Sequence, residues 1–155
     1  MKEKEKIKII CDDREPKSMD VVAELVGGIE FERKRLKTGD YILGDTCIER
    51  KTIDDFCGSI IDGRLANQVT KMKANFKNNY ILVAGKIKDR TSEIHENCIL
   101  GKMSSIIVKH NISIITLDDE FQLVYLMKRI FERHQELLKG GNTKWELEKQ
   151  SQQWF

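Results

Sequence analysis

Asp40, Glu49 and Lys51 are the residues of this sequence whose types and spacing fit a chemical task. Gly44-Asp45 between them is a two-residue turn signal. With that turn, Leu43 pairs with Thr46, Ile42 with Cys47, Tyr41 with Ile48 and Asp40 with Glu49. Directly opposed residues of an antiparallel pair have Cβ atoms about 4.5–5.5 Å apart and point to one face. Two carboxylates placed in this way repel each other unless positive charge lies between them, and a divalent cation with oxygen ligands supplies it. The period of two along a strand brings Lys51 to the same face. A metal held there would polarise a phosphoryl oxygen and lower the pKa of a water, and the ammonium would orient that water or offset transition-state charge. Spacing alone does not separate this site from a surface hairpin with solvated Asp and Lys, which is the commoner object.

Two neighbouring segments bear on the choice. Asp12-Asp13-Arg14-Glu15 ends a predicted strand, and ligands of α/β folds gather at strand ends. It adds carboxylates and a guanidinium where a metal and a phosphate would want them, or it is a charged turn before Pro16. Arg50-Lys51-Thr52-Ile53-Asp54-Asp55 leads into a helix that Asp54 or Asp55 can cap, which accounts for those acids without catalysis.

The elements that must position these residues alternate along the chain. Lys8 to Asp12 reads as a strand, and Ser18 to Val26 as a short helix capped by Ser18 and stopped by Gly27-Gly28. A strand from about Phe31 to Leu36 precedes the hairpin. Asp54 to Phe76 is helical with a break near Asp62-Gly63. Tyr80 to Ala84 and Ile112 to Leu117 read as buried strands flanking a helix from Asn97 to Lys109. Asp118-Asp119 caps an amphipathic helix reaching about Leu138, ended by Gly140-Gly141. This order predicts an α/β domain with a mixed sheet.

Composition narrows the classes. A chain of 155 residues, 40% hydrophobic and 34% charged, suits one domain with its own core. A net charge of +2 gives no overall basicity, so a nucleic-acid partner has to be read from local charge. No apolar run approaches the roughly 20 residues of a membrane helix, and the charged start carries no signal-type stretch. The expectation is a cytoplasmic protein, or a nuclear one in a eukaryotic source. Cys11, Cys47, Cys57 and Cys98 form no CxxC pair, and His95, His110 and His134 fall at no zinc spacing, so the cysteines read as reduced core or near-core thiols.

At the hairpin and its neighbours the sequence resembles the nuclease domain of the XPF/Hef family of structure-specific endonucleases. The family's Glu-Arg-Lys-x-x-x-Asp motif is met by Glu49-Arg50-Lys51-Thr52-Ile53-Asp54-Asp55, its Gly-Asp-Tyr segment by Gly39-Asp40-Tyr41, and its Asp-x-Arg-Glu segment by Asp12-Asp13-Arg14-Glu15. Asp62-Gly63-Arg64-Leu65 and Gln68 match further positions, and the likeness runs from about Lys8 to Glu136. The resemblance implies a restriction-endonuclease-like three-layer fold with a central mixed sheet flanked by helices. It implies Mg²⁺ or Mn²⁺ as cofactor and incision of branched double-stranded DNA such as flaps and forks. Carried over by position, Asp40, Glu49 and Asp12 become metal ligands and Lys51 the catalytic lysine. Arg50, Arg14, Glu15 and Asp55 join the catalytic set, and Arg14, Arg64 and Gln68 become DNA contacts. No member of the matched set is missing, which argues against a non-catalytic scaffold subunit. A Holliday-junction resolvase with the same core chemistry is the other alternative.

The remaining expectations concern partners. The resemblance implies homodimers or heterodimers through the C-terminal helix, whose apolar stripe holds Leu123, Val124, Met127, Ile130 and Phe131, with Phe121 and Tyr125 beside it. Packing on the sheet explains the same stripe equally well. Residues 1–139 are expected to form the nuclease domain and 140–155 a tail. Family members usually carry a helix-hairpin-helix domain that grips DNA. None is present here, so either the chain is part of a longer one or a partner supplies the grip. Lys71, Lys73 and Lys77 fit a phosphate backbone or a solvated face. Trp154-Phe155 suggests a short motif for a partner such as a sliding clamp, although Ser151 stands where clamp-binding peptides place an aliphatic residue.

Overall fold

Successive side chains of the central strands serve two different cores, and this alternation sets the architecture. The structure, a computed structural model, describes residues 5–140. The tail from Gly141, with Trp154-Phe155, lies outside them. In chain order the elements are β1 (Ile7–Asp12), α1 (Ser18–Val26), β2 (Ile29–Lys34), β3 (Tyr41–Leu43), β4 (Thr46–Thr52), α2 (Ile53–Ile61), α3 (Arg64–Asn75), β5 (Asn78–Ala84), α4 (Glu96–His110), β6 (Ser113–Leu117) and α5 (Glu120–Leu138). The six strands form one sheet in the order β2-β1-β3-β4-β5-β6. β1 pairs parallel with β2, the β3–β4 hairpin joins antiparallel at its centre, and β5 and β6 continue parallel from β4.

On one face, Ile9, Cys11, Tyr41, Ile48 and Leu82 pack against α1 through Met19 and Ala23, and against α5 through Leu123, Val124, Met127 and Phe131. On the other, Cys47, Ile81 and Val83 pack against Phe56 and Cys57 of α2, Leu65, Val69 and Met72 of α3, and Ile99 and Ile106 of α4. The result is the expected three-layer α/β domain. Truncating a fully buried residue such as Leu65 or Phe56 to Ala would cost about 2–5 kcal/mol, because the site cannot collapse onto the void.

Local chemistry explains where the elements begin. Thr52, not Asp54 or Asp55, caps α2, its hydroxyl accepting the Asp55 N–H at 3.1 Å. The Asp54 carboxylate instead accepts the Thr91 N–H at 2.8 Å. Ser18 is the first residue of α1 and not its cap, a place held by Lys17 without a side-chain bond. Asp119 caps α5 as expected, accepting from Gln122 N–H at 2.9 Å. β6 departs from the expectation of a buried strand. It is the sheet's edge, so Ser113 and Thr116 are exposed and its apolar residues only half-buried. Cys98 is exposed as well, whereas Cys11, Cys47 and Cys57 are core thiols. Burial pushes the Cys11 thiol up to about 12 and raises the other two, so none of these three is a thiolate. No helix among the described residues is long and apolar enough to cross a membrane.

Candidate active site

The hairpin register is the one that the turn implies: Leu43 opposes Thr46, Ile42 opposes Cys47 and Tyr41 opposes Ile48. The ladder then breaks. Asp40 N–H donates to the Ile48 carbonyl at 3.0 Å, one residue off the register that would oppose Asp40 to Glu49. Gly39 stands immediately before the offset. It has φ +77°, and a Cβ there would collide with the Cys47 sulfur, so only glycine fits. The displaced Asp40 carboxylate accepts the Arg50 backbone N–H at 2.8 Å, replacing a missing ladder bond.

Glu49 and Lys51 share the face that packs on α2, α3 and α4, as strand period requires. Both are buried, 6% and 5% exposed, with Lys51 Nζ 3.8 Å from Glu49 Oε1. Arg50 points to the opposite face. Its Nε and Nη2 reach Glu15 Oε2 at 2.9 and 2.8 Å, and its Nη1 reaches Glu120 Oε1 at 2.9 Å. Asp12, also buried, is engaged with Arg14 Nε at 3.0 Å and the Leu36 N–H at 3.3 Å. Arg14 in turn donates to the Leu36 carbonyl at 2.9 Å and leaves much of its side chain exposed.

Negative charge is in excess here. Burial, then the Glu49 charge, pushes the Asp40 carboxyl up to about 7, against the pull of the Arg50 N–H, Arg50 and Lys51. Burial, then Asp40, likewise raises Glu15 to about 7, against its hydrogen bond to Arg50. Burial also raises Glu49, with Lys51 opposing. A cluster in which burial outweighs the available cations gains from one more positive charge. Among the described residues no three His, Cys, Asp or Glu side chains converge into a complete metal cage. Mg²⁺ needs none, since it binds through one or two carboxylates and keeps water for the rest. Asp40 and Glu49 fit that description, while the Asp12 carboxylate is turned toward Arg14 and the Leu36 amide.

These groups open into a cleft of about 300 Å³ lined by Asp12, Arg14, Lys37, Asp40, Glu49, Gln68 and Lys71, among others. Gln68 thus lies where the sequence expected it, with a buried Oε1 that has no partner. Lys71, one turn further along α3, was one of three ambiguous lysines in the sequence and lines the cleft. Lys37 was not anticipated. Arg64 is not among the lining residues; it is paired with Asp62 at 2.7 Å on an exposed turn. Asp55 is exposed on the first turn of α2, and no side-chain bond ties it to the cluster. Glu120, the second partner of Arg50, was legible only as a residue of the helix start. Three other hollows of comparable size contain neither Asp40 nor Glu49.

Residues 11–130 match the model of the ERCC4 domain. A Methanocaldococcus jannaschii protein that carries the name of an ATP-dependent RNA helicase is 38% identical over 133 residues, covering 85% of this chain and 16% of that protein. The 3'-flap repair endonuclease Xpf of Saccharolobus solfataricus is 27% identical over 133 residues, covering 83% of this chain and 56% of its own. The chain therefore spans only part of the curated relatives it matches. Among solved structures, XPF from Aeropyrum pernix superposes with a TM-score of 0.71 at 25% identity, covering 80% of this chain and 61% of that one. The same three-layer domain, matched over the segments that hold Asp40, Glu49 and Lys51, is the restriction-endonuclease-like fold of those relatives, and the chain belongs to the ERCC4-domain family as an XPF-type nuclease domain.

Proposed function

We propose that this domain is a divalent-metal-dependent endonuclease that hydrolyses phosphodiester bonds in branched DNA during repair or fork processing. The observation that carries the reading is the buried trio Asp40, Glu49 and Lys51, short of positive charge, in which Asp40 and Glu49 line an open cleft and Lys51 holds its ammonium 3.8 Å from Glu49. Asp40 and Glu49 would hold Mg²⁺ or Mn²⁺, which when bound supplies Lewis-acid polarisation of the phosphoryl oxygen and a more acidic water. Lys51 directs its ammonium beside Glu49, where it holds the attacking water in line and offsets charge on the phosphate. Arg14, Gln68 and Lys71 present donors along the cleft to the DNA backbone. Asp12 holds the Arg14 guanidinium from behind, so its support of the site is through Arg14 in addition to any part it takes in binding the ion.

Dimerisation through α5 belongs to the same reading. Phe131 of the apolar stripe is 1% exposed and is core. Phe121, Tyr125, Leu137 and Leu138 are exposed, and a groove of about 370 Å³ runs from Leu137 and Leu138 to the hairpin tip at Leu43 and Gly44. These surfaces support a second subunit, of the same or another chain.

The test is incubation of the purified protein with end-labelled flap, fork and four-way-junction DNA, with Mg²⁺ or Mn²⁺ and with chelator. Metal-dependent cuts near the branch, absent in Glu49→Ala, are expected. Wild type that cuts nothing, or a mutant that cuts equally, would overturn the reading. Symmetric paired cuts on the four-way junction alone would favour a resolvase.

A further inference from the structure

Arg50 is the one member of Glu49-Arg50-Lys51 on the opposite face of β4, since Lys51 shares the face from which Glu49 lines the cleft. The Arg50 side chain is 12% exposed, and its guanidinium is shared by two carboxylates from distant parts of the chain. Glu15 follows β1, and Glu120 opens α5, 70 residues beyond Arg50. An acid in the first turn of a helix is explained well enough by the helix dipole. The dipole does not explain why its Oε1 is 2.9 Å from Arg50 Nη1 or why its Oε2 is buried with no partner of its own. Charge-assisted bonds in a low-dielectric setting hold geometry strongly, and a guanidinium fork fixes direction as well as distance. The same residue's backbone N–H is bonded to Asp40. Arg50 is thus held at its side chain by Glu15 and Glu120, and at its main chain by a proposed metal ligand.

The geometry assigns Glu120 as a positioning residue. With Glu15 it clamps Arg50 on the far side of the sheet and thereby fixes the orientation in which β4 presents Glu49 and Lys51 and in which Asp40 meets the Arg50 amide. Helix α5 becomes part of the active-site frame, in addition to covering the core. This inference rests on the endonuclease reading for its kinetic consequence but not for its structural one.

Glu120→Ala, Glu120→Gln and Gln122→Ala in the full chain test it. Gln122 belongs to the same helix start, accepts from Asp118 N–H at 2.9 Å and does not touch Arg50, so it reports plain damage to the end of α5. Glu120→Ala is expected to lower kcat and Mn²⁺ affinity on the order of 10–100-fold, as loss of partners that orient metal ligands does. The KM for flap DNA should stay within about twofold, since no DNA contact is lost. It should also shift the ¹H–¹⁵N resonance of the Arg50 amide. Glu120→Gln keeps an acceptor for Nη1 and should recover most of each effect, and Gln122→Ala should match wild type throughout. Glu120→Ala indistinguishable from Gln122→Ala in these readouts would overturn the assignment. So would Glu120→Gln losing melting temperature and activity as fully as Glu120→Ala, which would mark a structural role. A wild type that binds Mn²⁺ but cuts no DNA sinks the endonuclease reading alone. The affinities and the Arg50 resonance still decide this one.

Discussion

Replacing Asp40 by Asn removes a charge that the folded domain holds against burial and against Glu49, while the amide oxygen can still accept the Arg50 N–H. A carboxyl whose folded pKa lies above its unfolded value binds its proton more tightly in the folded state. Its destabilising effect is absent below the unfolded value, grows as pH rises, and is complete above the folded value. For Asp40 that window runs from 3.8 to about 7, which corresponds to roughly 4 kcal/mol if the whole rise is assigned to this residue. Asp40 and Glu49 titrate together, so one substitution recovers only part of it, about 2 kcal/mol. In a domain of this size that raises the melting temperature by about 4–8 °C. The assay is thermal or urea unfolding of both proteins in chelator at pH 8, 6 and 4.5. The gain should be full at pH 8 and shrink steeply toward pH 4.5. With Mg²⁺ or Mn²⁺ the order should reverse, since an ion at 100 times its Kd stabilises wild type by about 2.7 kcal/mol and the mutant hardly at all. An Asp40→Asn protein no more stable than wild type at pH 8, or with a gain independent of pH, would refute the charge-excess reasoning.

Other outcomes follow from the same geometry. Lys51→Met should lower kcat by about 10²–10³, as loss of one transition-state donor does, and should leave Mn²⁺ binding measurable by calorimetry. Arg50→Ala leaves Glu15 buried and Glu120 half-buried without their cation and should cost about 3 kcal/mol in urea unfolding, with Arg50→Lys restoring only part because a point charge cannot replace the fork. Gly39→Ala combines a left-handed backbone with a collision against the Cys47 sulfur. It should lower stability by about 2 kcal/mol or more and abolish cleavage by moving Asp40, both read on one preparation. Chelation followed by add-back should restore cleavage with Mg²⁺ or Mn²⁺.

Much of this was legible in the sequence where the governing physics is local. The Gly44-Asp45 turn with alternating Ile42, Cys47 and Ile48 dictates the hairpin register, and the observed pairing follows it. The face shared by Glu49 and Lys51 follows from strand period. The offset of Asp40 was not legible, because the close packing of Gly39 beside the Cys47 sulfur, eight residues away, is a tertiary contact. Asp12 became a ligand only through the family resemblance, and in the fold its carboxylate is engaged by Arg14, two residues on, and the Leu36 amide. Lys71 reaches the cleft only because α3 is laid across the sheet by Leu65, Val69 and Met72. Asp55 stands in a matching motif position, but Thr52 already supplies the cap and the helix turns the acid outward. Partners such as Glu120 belong to tertiary packing, which spacing along one chain does not encode.

The two-sidedness of β4 has a consequence for how such a site can vary. Glu49, Arg50 and Lys51 are contiguous because one strand serves a reactive side and a scaffold side in alternate residues, leaving no spare position between them. Deleting one residue between Leu43 and Glu49 would exchange the two sides. Arg50 would swing into the acidic cleft, and Glu49 and Lys51 would be driven into the apolar layer under α1 and α5. Spacing is therefore the rigid part of the tripeptide and the identity of its middle residue the negotiable part, provided that positions 15 and 120 change together with it.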